Sequence, residues 1–313
     1  MFSSKKNPIS IIILYSMISY FEAEILTGST SIEGILTYPL SALEGMIFYG
    51  FQIAMISDIS IRFKFNMPKI YLLGLIYGIM EEGIALFTME STRTHTLWLS
   101  YFGLNITWTI YIMLFHAVIT VCSTILIVNV ILKNKPDNPF LSINSYLIMI
   151  PVLGIIYYTF IYASLNAGRI PDISSVLILI FLMFIIVLFL IFNKDHYKIK
   201  RKFHSKKIYS ITLSLWSLGI SIPFIFGDRI PLIMLPVTVF LFLLILYFYF
   251  LCCIIQQYIK DSEVILKIYV SFNATLLILA SFNRTILSSI IAVICFGLIV
   301  YLGFKRSMGN LLQ

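Results

Sequence analysis

A chain of 313 residues, 60% of them hydrophobic and only 12% charged, with a mean hydropathy of +0.98, is excluded from the soluble globular class, whose helices carry charge on a water-facing side. The formal net charge of +8 does not indicate nucleic-acid binding, because the basic residues gather at the ends of apolar runs, where they set topology. The four cysteines, Cys122, Cys252, Cys253 and Cys295, lie inside apolar runs without a CxxC pair, which excludes a disulfide framework and a thiolate metal site and reads them as small buried residues.

Apolar runs of about twenty residues cross a hydrocarbon core ~30 Å thick at ~1.5 Å per residue. Taken in order they predict an all-α, polytopic transmembrane bundle of about ten spans, at 8–27, 34–57, 70–90, 103–132, 143–164, 173–193, 208–227, 230–258, 263–281 and 285–304. The pattern also admits eight or nine. The first run follows Lys5 and Lys6 as a signal peptide would, but Tyr20, Phe21, Glu22 and Glu24 stand where small residues should mark cleavage, so it reads as an uncleaved span. As one helix the stretch 263–304 would be roughly 60 Å long, twice the hydrocarbon thickness. The break at Ser281-Phe282-Asn283-Arg284 predicts a tight hairpin instead.

The distribution of basic residues supports ten spans with both termini cytoplasmic. Alternating from a cytoplasmic N-terminus places 18 of the 22 lysines and arginines inside, every lysine among them, and leaves Arg93, Arg169, Arg229 and Arg284 outside. This predicts a multi-pass protein of the cell membrane. The loop 194–207 (KDHYKIKRKFHSKK) is the one pronounced charge cluster. It reads first as a topology anchor touching anionic lipid headgroups, with a partner-binding segment as the alternative. No partner beyond the lipid bilayer and no oligomeric state follows from the sequence.

Ionisable groups in hydrocarbon cost several kcal/mol unless paired or solvated, so each is a site candidate. They concentrate at the N-terminal end: Glu22 and Glu24 in span one, Glu44 in span two, Glu81 and Glu82 in span three, His116 in span four. Spans five to eight carry none away from their ends. The chain therefore divides into a four-span half, 1–132, bearing the Glu/His residues, and an apolar multi-span half, 133–313. Counted from the cytoplasmic ends, Glu22, Glu44, Glu82 and His116 all come to roughly 18–24 Å of depth, compatible with one cluster.

Helical spacing sharpens this. Gly74, Gly78, Glu82 and Ala85 share one side of span three, with Glu81 near it. Gly74 and Gly78 form a small-xxx-small pattern that admits a neighbouring helix closely. Asn105, Thr109, His116, Thr120 and Ser123 make a polar stripe on span four, flanked by Trp108, and Thr37, Ser41 and Glu44 make one on span two. The candidate catalytic residues are Glu81, Glu82 and His116, with Glu44, Asn105 and Trp108 in support. Adjacent carboxyls and a neutral imidazole are equipment for general acid/base catalysis and equally for a proton relay; the bland alternative is interhelical glue. No cofactor is predicted. A lone intramembrane histidine offers no His-x3-His pair, although Glu81, Glu82 and His116 have the chemistry to ligate zinc or manganese. GxSxG, P-loop and GxGxxG motifs are absent.

At Glu81-Glu82 and His116 the sequence resembles the CAAX-protease and bacteriocin-processing family of intramembrane proteases. That family carries Glu-Glu-x-x-x-Arg on one membrane helix, Phe-x-x-x-His on the next and His-x-x-x-Asn on a later one. Glu81-Glu82 matches the start of the first motif, and His116 falls at a fitting distance. The resemblance implies that a glutamate activates water while the histidine assists attack on a peptide carbonyl. Leu86 and Phe87 stand where the arginine belongs, Ile112 stands in place of the phenylalanine, and no later span has a histidine. Gly83, Asn105, Trp108 and Ala117 also resemble uncharacterised prokaryotic membrane proteins with an Ile-x-Glu-Glu-Gly helix and an Asn-x-x-Trp…His-Ala helix. Three classes stay open: an intramembrane hydrolase, a proton- or cation-coupled transporter, and a non-catalytic scaffold.

Overall fold

The computed structural model describes residues 7–90, 99–132, 138–193, 214–219, 234–259, 261–281 and 285–308. The elements are helices α1 (Pro8–Tyr20), α2 (Ile32–Thr37), α3 (Pro39–Arg62), α4 (Met67–Gly78), α5 (Ile106–Phe115), α6 (Thr124–Ile131), α7 (Ile143–Asn166) and α8 (Ile173–Phe192), a short helical piece α9 (214–219), then α10 (Met234–Ile255), α11 (Ser262–Ser281) and α12 (Ile286–Met308). A two-stranded antiparallel hairpin, β1 (Ser100–Tyr101) and β2 (Leu104–Asn105), precedes α5. Three π-helical segments, Phe21–Ile25, Ile79–Ala85 and His116–Ser123, continue α1, α4 and α5.

Seven described helices are long and apolar enough to cross a membrane: Pro8–Ile25, Pro39–Arg62, Ile106–Ile131, Ile143–Asn166, Ile173–Phe192, Leu235–Tyr258 and Ile286–Lys305. This makes the chain an integral, multi-pass α-helical protein whose solvent is the lipid bilayer. The expected spans at 70–90 and 263–281 are helical over Met67–Ala85 and Ser262–Ser281. Met67–Ala85 is more polar than the seven, carrying Lys69, Glu81 and Glu82; Ser262–Ser281 is apolar apart from Glu263 and Lys267 in its first turns. The expected span 208–227 lies outside the described residues except for α9, as do the basic loop 194–207, His95, His196 and His204.

Local chemistry sets the helix starts. Asn7, Asn66 and Asp172 cap α1, α4 and α8 by accepting the backbone N–H of Ile9, Lys69 and Ser174 at 3.0, 3.2 and 2.9 Å. Pro8, Pro39 and Pro68 stand in first turns, where the missing N–H costs nothing. The Ser174 hydroxyl and N–H hold the exposed Asp172 carboxyl below the usual carboxylate range.

Two expected spans are corrected here. Span two breaks at Tyr38, because the residue before a proline is pushed out of the helical region. Thr37 therefore ends α2 while Ser41 and Glu44 belong to α3, and the three do not form one stripe. Span four starts at Ile106, not 103. Phe102 and Gly103, at φ 51° and 78°, make the two-residue turn that a twisted hairpin requires.

The described residues fall into two compact units. One comprises Met1–Phe65, Ile119–Gly154 and Tyr258–Gln313; the other, Asn66–Val118 and Ile155–Gln257. Both take residues from before and after residue 132, so the compact units do not follow the division into sequence halves. In the first unit α1 lies along α3, and α6 packs on α1, α11 and α12. In the second, α4 packs on α5, α8 and α10, and α10 on α5. In the most apolar stretch of helix Ile106–Ile131, 94% of the residues are buried, against 22% in Ile173–Phe192 and 17% in Ile286–Lys305. The outer helices turn side chains such as Phe181, Phe184, Leu298 and Tyr301 outward, as lipid contact requires.

Candidate active site

The site in the second unit is built on the contact between α4 and α5. A Cβ on Gly74 would sit 2.6 Å from Ala117 Cα, and one on Gly78 would sit 3.2 Å from both His116 Cβ and Met113 Cα. The two glycines thus let α4 lie flush on residues 112–117, the close approach that the small-xxx-small pattern predicts. On the other side a Cβ on Gly83 would come within 2.7 Å of a Leu179 methyl on α8.

Past Gly78 the helix widens. Leu86 N–H donates to the Glu81 carbonyl at 3.0 Å, the i→i+5 bond of a π turn. A π turn takes more residues than an α turn, so consecutive side chains are separated by a smaller angle. Glu81 and Glu82 can then both project toward α5. The imidazole of His116, itself the first residue of a π segment, receives one carboxylate at each ring nitrogen. Nε2 lies 3.4 Å from Glu82 Oε1 in a long hydrogen bond, and Nδ1 lies 3.5 Å from Glu81 Oε2. The Glu81 and His116 side chains are 1% and 2% exposed, and Glu82 is 15% exposed.

Neighbours hold the arrangement. The Thr88 hydroxyl donates to Glu82 Oε2, and Thr88 N–H donates to the Glu82 carbonyl at 2.8 Å. Thr88 reaches back because Phe87 takes a left-handed conformation at φ 53°, which costs a non-glycine residue about 1–2 kcal/mol. Tyr77 and Phe115 meet the imidazole edge-on, with ring centroids at 5.5 and 5.1 Å. The Tyr77 and Tyr157 phenols are electrostatic neighbours of Glu81. At the end of the π turn, Arg169 Nη1 and Ser164 Oγ donate to the Leu86 carbonyl, each at 3.3 Å, a cation where the helix dipole favours one.

The geometry has a consequence for protons. A neutral imidazole has one N–H and one bare nitrogen, and an ionised carboxylate only accepts. The Nε2–Glu82 hydrogen bond needs a proton on one of its two groups, while Nδ1 and Glu81 Oε2 are at ion-pair distance, close enough to favour a second proton between them. A transferable proton therefore sits in the cluster. Glu81, Glu82 and His116 also each offer one ligand atom, all within 4.8 Å of one another. Two carboxylates and an imidazole suit a divalent ion such as zinc or manganese.

The other expected site residues lie elsewhere. Glu44 is half-buried on α3 in the first unit and is not one of the clustered ligands. Asn105 is fully buried as the N-cap of α5, accepting Trp108 N–H at 3.0 Å. Trp108 is half-buried and stacks on Tyr111 at 5.3 Å. Glu22, expected at the depth of the cluster, belongs to the first unit, where Thr124 and Ser123 donate to its carboxylate at 2.7 and 3.4 Å. Equal depth does not say which helices are neighbours, and Glu22 and the Glu81–Glu82–His116 group belong to different compact units. Sequence reasoning missed Thr88, although a threonine six residues past the Glu pair was the available signal. It also missed Asp58, whose buried carboxylate accepts Phe140 N–H, Leu141 N–H, Tyr146 O–H and Arg62 Nε at 2.6, 2.9, 2.9 and 2.6 Å.

Comparison with curated proteins finds no match, and comparison with solved structures finds none. A family profile does match, over residues 13–308, and it covers all of the helices just described except the first turn and a half of α1. The chain belongs to an uncharacterized membrane protein family.

Proposed function

We propose that the protein is an intramembrane hydrolase that cleaves a peptide bond at the Glu81–Glu82–His116 cluster. The observation that carries the reading is the imidazole bracketed by two carboxylates, at 3.4 and 3.5 Å, inside the protein. The resemblance at Glu81-Glu82 and His116 supplies the substrate class.

Glu82, the more exposed of the pair, is the group water can reach. It takes a proton from water as the oxygen bonds to the peptide carbonyl carbon. His116 gives a proton to the amide nitrogen as the C–N bond breaks. The proton on Glu82 then passes to His116 across their contact, so acid and amine leave and the site is restored. Glu81, at the opposite ring nitrogen, orients the imidazole. The lysine distribution supports placement in the cell membrane with a cytoplasmic N-terminus.

The test is cleavage of a quenched-fluorescent transmembrane peptide library by the purified protein in liposomes. Glu82→Gln and His116→Ala are each expected to lower the rate ~10²–10⁴-fold. Full activity in both variants overturns the proposal. So does a wild-type protein that cleaves nothing but moves protons along a pH gradient, which assigns the cluster to a relay.

A further inference from the structure

The first unit holds a second buried carboxylate that the proposed chemistry does not use. Glu22 is 0% exposed, in the π segment Phe21–Ile25. Thr124 Oγ1 donates to its Oε2 at 2.7 Å and Ser123 Oγ reaches its Oε1 at 3.4 Å. Ser123 in turn accepts from Asn273 Nδ2 at 2.9 Å, and the Tyr269 phenol is a further neighbour of the carboxylate. Among the described residues no lysine, arginine or histidine pairs with Glu22. Asn273 is itself 0% exposed, and its Oδ1 is buried without a hydrogen-bond partner.

We infer that Glu22, Ser123, Thr124, Asn273 and Tyr269 form an intramembrane site for a hard monovalent cation, sodium above all. Every ligand is an oxygen, the set that hard cations select over softer metals. The charge balances, since one carboxylate neutralises one monovalent ion, whereas a divalent ion would leave a net positive charge in hydrocarbon. A proton on Glu22 is the simpler neutraliser but fits less well. It would compete with hydroxyl hydrogens already directed at both carboxylate oxygens, and it would leave Asn273 Oδ1 unmet. A metal cation turns those hydrogens outward and takes the lone pairs of all the oxygens together. Both helices that supply Glu22 and Ser123 run as π turns there, the loosened backbone at which membrane helices meet ions. The residues lie in the other unit, so the inference stands apart from the peptidase reading.

The test is the melting temperature of the full-length protein in detergent, with sodium chloride exchanged for choline or potassium chloride at constant ionic strength. A ligand that binds only the folded state raises stability with its concentration. The expected result is a rise that saturates with sodium, is smaller with potassium and absent with choline, persists in Glu82→Gln and is lost in Glu22→Gln. If Glu22→Gln does not fold, Thr124→Val keeps the carboxylate and should raise the sodium concentration at half effect. Identical melting in the three salts overturns the inference, as does a sodium response unchanged by these substitutions. A melting temperature that follows pH but not sodium also overturns it, in favour of a carboxyl proton.

Discussion

Two buried carboxylate sites sit on π turns in this protein, and they differ in what faces the carboxylate. Glu81 and Glu82 face an imidazole, a group that both gives and takes protons. Glu22 faces the hydroxyls of Ser123, Thr124 and Tyr269 and, through Ser123, an amide. The first set can hand a proton from one member to the next; the second can only donate hydrogen bonds or offer lone pairs to a cation. The same backbone device therefore serves two chemistries, and the partner side chains decide which. Asp58 makes a third case. Its carboxylate lies on a regular α helix, is paired with Arg62 at 2.6 Å and is saturated by backbone and tyrosine donors. Nothing there is left to move or to bind.

This contrast predicts different consequences for damage at each place. The largest effect on stability belongs to Asp58→Ala, which leaves the Phe140 and Leu141 N–H groups without their acceptor. A loss of about 1–3 kcal/mol for each stranded N–H is expected, read by denaturant titration in detergent. A loss under 1 kcal/mol would show that Asp58 is no more than a surface pair. Next comes Gly74→Ala, which forces a methyl to within 2.6 Å of Ala117 Cα. It should cost about 1–3 kcal/mol and lower cleavage as well, because the wedge parts Glu82 from His116. Gly78→Ala, with its nearest contacts at 3.2 Å, should cost less, and the reverse order would contradict the α4–α5 contact. The smallest effect is that of Thr88→Val, which removes one hydroxyl donor from Glu82. About a tenfold fall in cleavage with little change in melting temperature is expected. A change in melting alone would make Thr88 a packing residue.

Much of this was legible in the sequence, for identifiable reasons. The spans expected at 143–164 and 173–193 appear as Ile143–Asn166 and Ile173–Phe192, because a run of apolar residues long enough to cross hydrocarbon has few other structures open to it. The Gly74/Gly78 face was readable because helical spacing puts both residues on one side and absent side chains invite contact. The meeting of Glu81-Glu82 with His116 follows from that same face. The rest depends on tertiary packing. No sequence period announces a π turn, so the joint reach of Glu81 and Glu82 to one ring was not visible. Depth along a helix carries no information on azimuth or neighbours, so equal depth alone does not decide whether Glu22, Glu44 and His116 meet. The break before Pro39 was readable from the proline rule, but a run of apolar residues on both sides obscured it. Asn105 looked like part of a stripe because its spacing fits one; the Phe102-Gly103 turn makes it a cap.

The central claim is that His116 shares its protons with a carboxylate at each ring nitrogen. It is tested most directly by nitrogen-15 NMR of the histidine-labelled protein, in which only four histidines contribute and His116→Ala identifies the signals. Both ring nitrogens of His116 are expected to report hydrogen-bonded environments. Glu82→Gln should perturb chiefly Nε2, and Glu81→Gln chiefly Nδ1. A single neutral tautomer whose nitrogen signals are unmoved by either substitution would contradict it, and with it the acid/base role assigned to the cluster.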